Sequence, residues 1–218
     1  AIGNAAFAKA YGDKILLWRI TNTADPVPGS LQTFFGGYKQ FGRQYKYSVS
    51  PKLATQQHDM AMYFDVSVHK YYKALQKAQE AGLIAKTPMQ QLNGSEPLVA
   101  VWIGSSQALE KRPYIPDIQS FLLSEYQNML PRYIIMDDDI KLYRQEFYPL
   151  NYFIREAQVV GADYIIIAEM DGHQPRNSQN WYINMNQSVF NANGGLINVI
   201  SISKLVSPVS GNMHAAVY

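Results

Sequence analysis

The sequence predicts an α/β protein built from two consecutive parts. The run at 15–21 is apolar, has the length of a strand and stops at polar residues and two prolines. From residue 98 onward, apolar runs of strand length alternate with stretches of helical periodicity. Hydrophobic residues make up 47% of the 218, so a sizeable core can form. We expect a first part at 1–82, a linker at 83–97, a second part at 98–206 and a tail at 207–218.

The composition excludes several classes of function. A net charge of +2 is too small to indicate a nucleic-acid partner. No cysteine is present, which excludes disulfides and thiolate metal sites. No apolar stretch approaches the roughly 20 residues that span a bilayer, and no glycine-rich phosphate loop or dinucleotide fingerprint occurs. We therefore expect no cofactor, no metal and no transmembrane segment.

The first part has few predicted elements. A short helix begins near Gly3 and ends at Gly12, and the strand at 15–21 follows. Its apolar character predicts a buried strand in a parallel sheet covered on both faces. Tyr45 and Tyr47 fit a short edge strand, and a long helix runs from about residue 60 to Gly82, where glycine ends it.

Two polar residues of this part could work together. Asp25 falls just past the carboxyl end of the strand, where open α/β sheets place functional residues. His58 follows 33 residues later, at the start of the long helix. A fixed carboxylate can orient a histidine that acts as a general base. The simpler alternatives are that Asp25 is a turn residue before Pro26 and that His58 is a solvated residue at a helix start.

These residues lie in motifs that resemble the C-terminal part of class 3 lipases. The motifs are Gly3-Asn4-x-x-Phe7, then Asn22-x-x-Asp25-x-Val27-Pro28, then His58 followed by Tyr63. The resemblance covers roughly residues 1–75. It implies an α/β-hydrolase fold and an acyl-ester or lipid substrate, with Asp25 orienting the catalytic His58, which takes the proton of a serine nucleophile.

The chain departs from that family in one important respect. The family's G-H-S-x-G nucleophile elbow, its central strands and its oxyanion hole precede the Gly-Asn segment and would lie outside these 218 residues. We expect an incomplete hydrolase portion that is not competent alone. Either the polypeptide is a fragment, or another chain completes the sheet, or the segment is a non-catalytic remnant.

The second part predicts a small mixed sheet with two helices, in the order β-α-β-α-β-β-β. Parallel pairing follows from the two strand-helix-strand units, and a hairpin follows from the alternating pattern after Trp181 and the turn before Gly195. The predicted strands are 98–103, 133–136, 162–169, 181–189 and 196–205, and the predicted helices are about 117–130 and 140–160.

This order and the segment Gly161-Ala162-Asp163-Tyr164-Ile165 resemble a bacterial envelope domain. It occurs in outer-membrane lipoproteins that activate penicillin-binding proteins, in the curli secretion channel and at the N-terminus of TolB. The resemblance covers about 97–206. It implies a binding and assembly module in the periplasm or at the outer membrane, with protein partners completing exposed sheet edges. A non-catalytic envelope protein is therefore the alternative to an ester hydrolase.

Three features of the second part suggest chemistry only weakly. Gly104-Ser105-Ser106-Gln107-Ala108 fits a loosened G-x-S-x-A nucleophile elbow, but a polar turn after a strand explains it more simply. The acidic run 137–139 could hold Mg²⁺ or Ca²⁺, but a helix N-terminus that favours acids is the better explanation. Asp171-Gly172-His173 reads as a turn.

Overall fold

The computed structural model describes residues 2–28, 30, 37–48, 58–90, 92, 94–106, 115–136 and 149–206. Contacts divide the chain into two compact units. The first unit is Ala1–Val66 with Gln174–Gln179, and the second is Ser67–His173 with Asn180–Tyr218. The boundaries expected from the sequence, 1–82 and 98–206, stay a prediction.

Nine strands and four helices are described. The strands are β1 (Ile2–Asn4), β2 (Trp18–Asn22), β3 (Tyr38–Gln40), β4 (Arg43–Tyr47), β5 (Leu98–Ser105), β6 (Arg132–Ile135), β7 (Tyr164–His173), β8 (Trp181–Asn191) and β9 (Leu196–Val206). The helices are α1 (Ala5–Tyr11), α2 (Met60–Glu80), α3 (Ile115–Met129) and α4 (Leu150–Val159). Among the described residues, no helix combines the length and the hydropathy needed to cross a membrane.

The first unit contains two small sheets. β2 pairs in parallel with β4, and β1 pairs antiparallel with β3, a ladder that the sequence did not predict. The strand expected from residue 15 begins only at Trp18. It starts late because the Lys14 and Ile15 amides both donate to the Tyr11 carbonyl, which continues the turn that ends α1.

The start of α1 explains the Gly-Asn-x-x-Phe motif. Asn4 is the N-cap, and its Oδ1 accepts the Phe7 amide at 2.8 Å. A Cβ on Gly3 would lie 2.5 Å from Phe7 Cδ1, so the Phe7 ring occupies the space that a side chain at residue 3 would need. The three motif residues therefore fix one local arrangement.

The strand β2 is not buried as expected. Leu16 is 79% exposed, Trp18 57% and Ile20 48%, and Tyr45 on the neighbouring β4 is 54% exposed. Parallel sheets normally have both faces covered. Within the described part of the first unit, this two-stranded parallel sheet leaves large apolar side chains accessible to solvent.

The second unit contains a five-stranded mixed sheet in the order β6-β5-β7-β8-β9. β5 is parallel to β6 and β7, and β7, β8 and β9 are antiparallel. The predicted β-α-β-α-β-β-β order is therefore observed. One core cluster includes Tyr126 of α3 with Val101 and Ile166 of the sheet. A second cluster includes Phe153 of α4 with Trp102.

The strand β7 is longer than predicted and includes the segment that we expected to be a turn. It continues through Asp171 and ends at His173. The Asn184 amide donates to the Asp171 carboxylate, and the His173 ring stacks on Tyr182 with centroids 5.3 Å apart. Polar residues stay in this strand because β8 supplies polar and aromatic partners across the ladder.

Candidate active site

Asp25 and His58, the two residues singled out from the sequence, lie in direct contact in the first unit. The His58 Nδ1 atom lies 2.8 Å from Asp25 Oδ2. The Asp25 side chain is fully buried, whereas the His58 side chain is 53% exposed. The arrangement thus joins a buried acid to an imidazole that reaches the surface.

Two further donors hold the Asp25 carboxylate. The Val27 amide donates to Oδ1 at 2.9 Å, and the Tyr63 hydroxyl donates to Oδ2 at 2.5 Å. Tyr63 lies on α2, about one and a half helical turns after His58 in the chain. Both carboxylate oxygens are therefore engaged, and the rotation of the Asp25 side chain is fixed.

The backbone before Asp25 accounts for the Asn-x-x-Asp spacing. Asn22 ends β2, and its side-chain Oδ1 accepts the Ala24 amide at 3.1 Å. Its carbonyl accepts the Asp25 amide at 3.1 Å. Such local bonds from asparagine favour a turn. They direct the chain so that the Asp25 side chain lies at the carboxyl end of the strand.

Electrostatics favour an ionised Asp25. Burial acts to raise the pKa of the Asp25 carboxyl, but hydrogen bonds from Tyr63, His58 and the Val27 amide outweigh it and lower the pKa. The same contact raises the pKa of Tyr63, with burial as the largest cause and the Asp25 hydrogen bond second. Asp25 is thus a carboxylate, and Tyr63 is a neutral donor at neutral pH.

This geometry leaves His58 suited to proton transfer. With Nδ1 bonded to the carboxylate, the neutral imidazole carries its proton on Nδ1 and a lone pair on Nε2. A base oriented in this way can accept a proton at Nε2, and the adjacent carboxylate stabilises the imidazolium that forms. No serine of the described residues hydrogen-bonds to His58.

Tyr47 is a neighbour of the site that sequence reasoning did not assign to it. Its ring packs edge-to-face on Tyr63 with centroids 5.6 Å apart, and the residue is only 5% exposed. Burial, together with Tyr63 and Asp25, raises the pKa of Tyr47. The alternation of Tyr45 and Tyr47 predicted the strand, but only the parallel register between β4 and β2 brings Tyr47 to the end that carries Asp25.

The other candidates from the sequence do not gather at a site. Ser105 ends β5 in the second unit and Ser106 follows it, and both are buried. Gln107, Ala108 and the acidic run 137–139 lie outside the described residues. Within the described part of the chain, no group of three or more histidine, aspartate and glutamate side chains could hold a metal ion.

Comparison with known proteins gives only distant similarities. No protein-family profile and no curated protein match the chain. A PelC dodecamer from Paraburkholderia phytofirmans is 9% identical over 58% of this chain and 81% of that one, with a TM-score of 0.36. The LpoB C-terminal domain from Salmonella enterica is 14% identical over 54% and 88%, with a TM-score of 0.32. Lipoprotein GNA1162 from Neisseria meningitidis is 12% identical over 55% and 86%, with a TM-score of 0.28.

The three quoted structures match the bacterial envelope domain that residues 97–206 resemble, and none of the three is a lipase. Every quoted TM-score lies below 0.5, so function does not transfer from them to this chain. The roles of Asp25 and His58 stay a prediction.

Proposed function

We propose that the first unit is the general-base half of an ester hydrolase that acts on acyl esters. The single observation that supports this is the contact between His58 Nδ1 and the buried Asp25 carboxylate. In this proposal, Nε2 of His58 removes the proton from a serine hydroxyl as it attacks the ester carbonyl. The imidazolium then returns the proton to the leaving alkoxide. Asp25 holds the tautomer and stays ionised throughout.

The nucleophile and the oxyanion hole belong, in this proposal, to polypeptide outside these 218 residues. The exposed side chains of β2 and β4 support this, because Trp18, Ile20 and Tyr45 are the kind of residues that a parallel sheet buries. A two-stranded sheet is marginal alone. Further strands from a flanking segment or a partner chain would cover these side chains and place a serine near His58.

The test is ester hydrolysis by the natural polypeptide, with whatever residues flank these 218. His58→Ala and Asp25→Asn should each lower kcat by about 10⁴-fold or more, as loss of a base or its orienting group does in serine hydrolases. Asp59→Asn is the matched control. Asp59 adjoins His58, is exposed, and caps the Ala61 amide at 2.9 Å, a role that asparagine also fills. Wild-type rates in either site variant would refute the assignment.

A second candidate is a non-catalytic binding and assembly protein of the bacterial cell envelope. One edge of the second unit's sheet supports it: β9 has 11 residues, and Ile202 and Leu205 on it are 46% and 51% exposed. Among the described residues, no strand pairs with its outer edge. Exposed strand edges favour pairing with other chains. In this candidate the Asp25–His58 pair is a structural remnant.

The two candidates predict different effects of the same substitutions. For the binding protein, Leu205→Pro removes an edge donor and should abolish a stoichiometric complex that co-purifies from the native envelope fraction, whereas His58→Ala should leave the complex intact. Hydrolysis lost in His58→Ala but unchanged in Leu205→Pro would favour the enzyme. A wild-type protein with neither a stoichiometric partner nor esterase activity would contradict both.

A further inference from the structure

The second unit contains a cavity lined by residues of α2, α4 and the sheet. None of these lining residues belongs to the Asp25–His58 site. The volume of the cavity is about 380 Å³. That volume is at the lower end of the range of small-molecule sites. The walls are mainly the side chains of Leu75, Leu150, Phe153, Ile167, Phe190 and Leu196.

The walls lack the groups that would bind a charged or strongly polar ligand. No charged side chain is among the described residues that line the cavity. Hydroxyls come from tyrosines and from Ser188, and Tyr72, which is 1% exposed, is already hydrogen-bonded to Glu169. The buried Ser188 hydroxyl can form a hydrogen bond with a ligand, but a strongly polar ligand would still lose most of its hydrogen bonds to water among these apolar walls.

The lining residues range from fully buried at the floor of the cavity to exposed at its rim. Tyr72, Phe153 and Ile167 are almost fully buried, whereas Tyr71 on the preceding position of α2 is 56% exposed. The lining therefore reaches from the sheet to the surface between two helices. A narrow apolar ligand could lie with one end on the sheet and its other end in solvent.

We propose that this cavity binds the aliphatic chain of a single-chain lipid, with the polar headgroup left in solvent at the rim. The apolar walls, the absence of charge on the described lining residues and the extension from sheet to surface fit that chemistry. The proposal is independent of ester hydrolysis, because all of its residues belong to the second unit.

The experiment is a chain-length series of 1-alkanols, from pentanol to decanol, titrated into the full chain by calorimetry and by saturation-transfer NMR. Each methylene that enters the cavity should tighten binding about fourfold until the chain outgrows it. Leu75→Trp, which fills the cavity from α2, should abolish saturable binding. Leu83→Trp is the matched control, because Leu83 is 81% exposed and does not line the cavity.

A second variant guards against loss of folding. If Leu75→Trp does not give the wild-type circular dichroism spectrum, Leu150→Trp fills the same cavity from α4. Decanoate and decanoyl lysophosphatidylcholine then distinguish a free fatty acid from a phospholipid as the source of the chain. Absence of saturable alkanol binding in the wild type, or unchanged binding in a folded cavity-filling variant, would overturn the proposal.

Discussion

Removing the Tyr63 hydroxyl tests how the candidate site is held together. Tyr63→Phe deletes the donor that lies 2.5 Å from Asp25 Oδ2 and also removes an acceptor 3.2 Å from the Asn22 amide. A hydrogen bond to a charged group contributes about 1.5–3 kcal/mol. We expect the free energy of unfolding at pH 7 to fall by about that amount. The measurement is urea denaturation followed by circular dichroism and tryptophan fluorescence.

The neighbouring tyrosine provides a matched control. Tyr47 is also buried and its ring touches Tyr63, but its hydroxyl has no hydrogen-bond partner among the described residues. Tyr47→Phe should therefore be neutral or slightly stabilising, because it removes a buried hydroxyl without breaking a bond. An equal loss of unfolding free energy in the two variants would refute the view that the hydrogen bond from Tyr63 to Asp25 stabilises the fold.

The pH dependence adds a second check. Because the pKa of Asp25 is lowered in the folded protein, its stabilising effect is present above the ordinary value of 3.8 and is lost as the pH falls through the lowered value. Tyr63→Phe removes one cause of that shift. The difference in unfolding free energy between wild type and variant should thus shrink on acidification. A difference that grows at acid pH would contradict the reasoning.

Three further predictions concern other parts of the chain. Asn4→Ala removes the N-cap of α1 and should lower the unfolding free energy by about 1 kcal/mol in urea denaturation; no change would contradict the capping role. Burial is the main cause that lowers the pKa of His69. The free energy of unfolding should therefore fall as the pH drops below about 6.5. Urea titrations from pH 8 to 5 should show a smaller fall in His69→Gln than in the wild type. Gly194→Ala would place a Cβ 2.6 Å from Ile154 Cδ1 and should lower the melting temperature more than Gly94→Ala, which has a similar positive φ but open space around it. Equal melting temperatures of the two variants would refute this.

Much of the second unit could be predicted from sequence because its strands are continuous apolar runs. Ile165 and Ile167 are buried on one face and Ile166 on the other, as expected for a strand covered on both sides. The prediction of a turn at Asp171-Gly172-His173 was wrong, because these residues continue β7. Cross-strand partners such as Asn184 can keep polar residues in a strand, and sequence spacing does not show them.

Asp25 and His58 are 33 positions apart and lie in contact, an arrangement that the resemblance to class 3 lipases implied; their catalytic roles stay a prediction. The role of Tyr47 could not be predicted, because it depends on the parallel register between β2 and β4. The exposure of Trp18 could not be predicted either, since an apolar run looks the same whether or not another strand covers it.

The central claim is that His58 activates a serine nucleophile, and labelling with a fluorophosphonate probe tests it most directly. Such a probe reacts with a serine only when a base activates it. The natural protein, together with whatever flanking residues or partner chain accompany these 218, should be labelled on one serine, as located by mass spectrometry. Labelling should be lost in His58→Ala and retained in Asp59→Asn. Absence of labelling in the wild type, or labelling that persists unchanged in His58→Ala, would contradict the account.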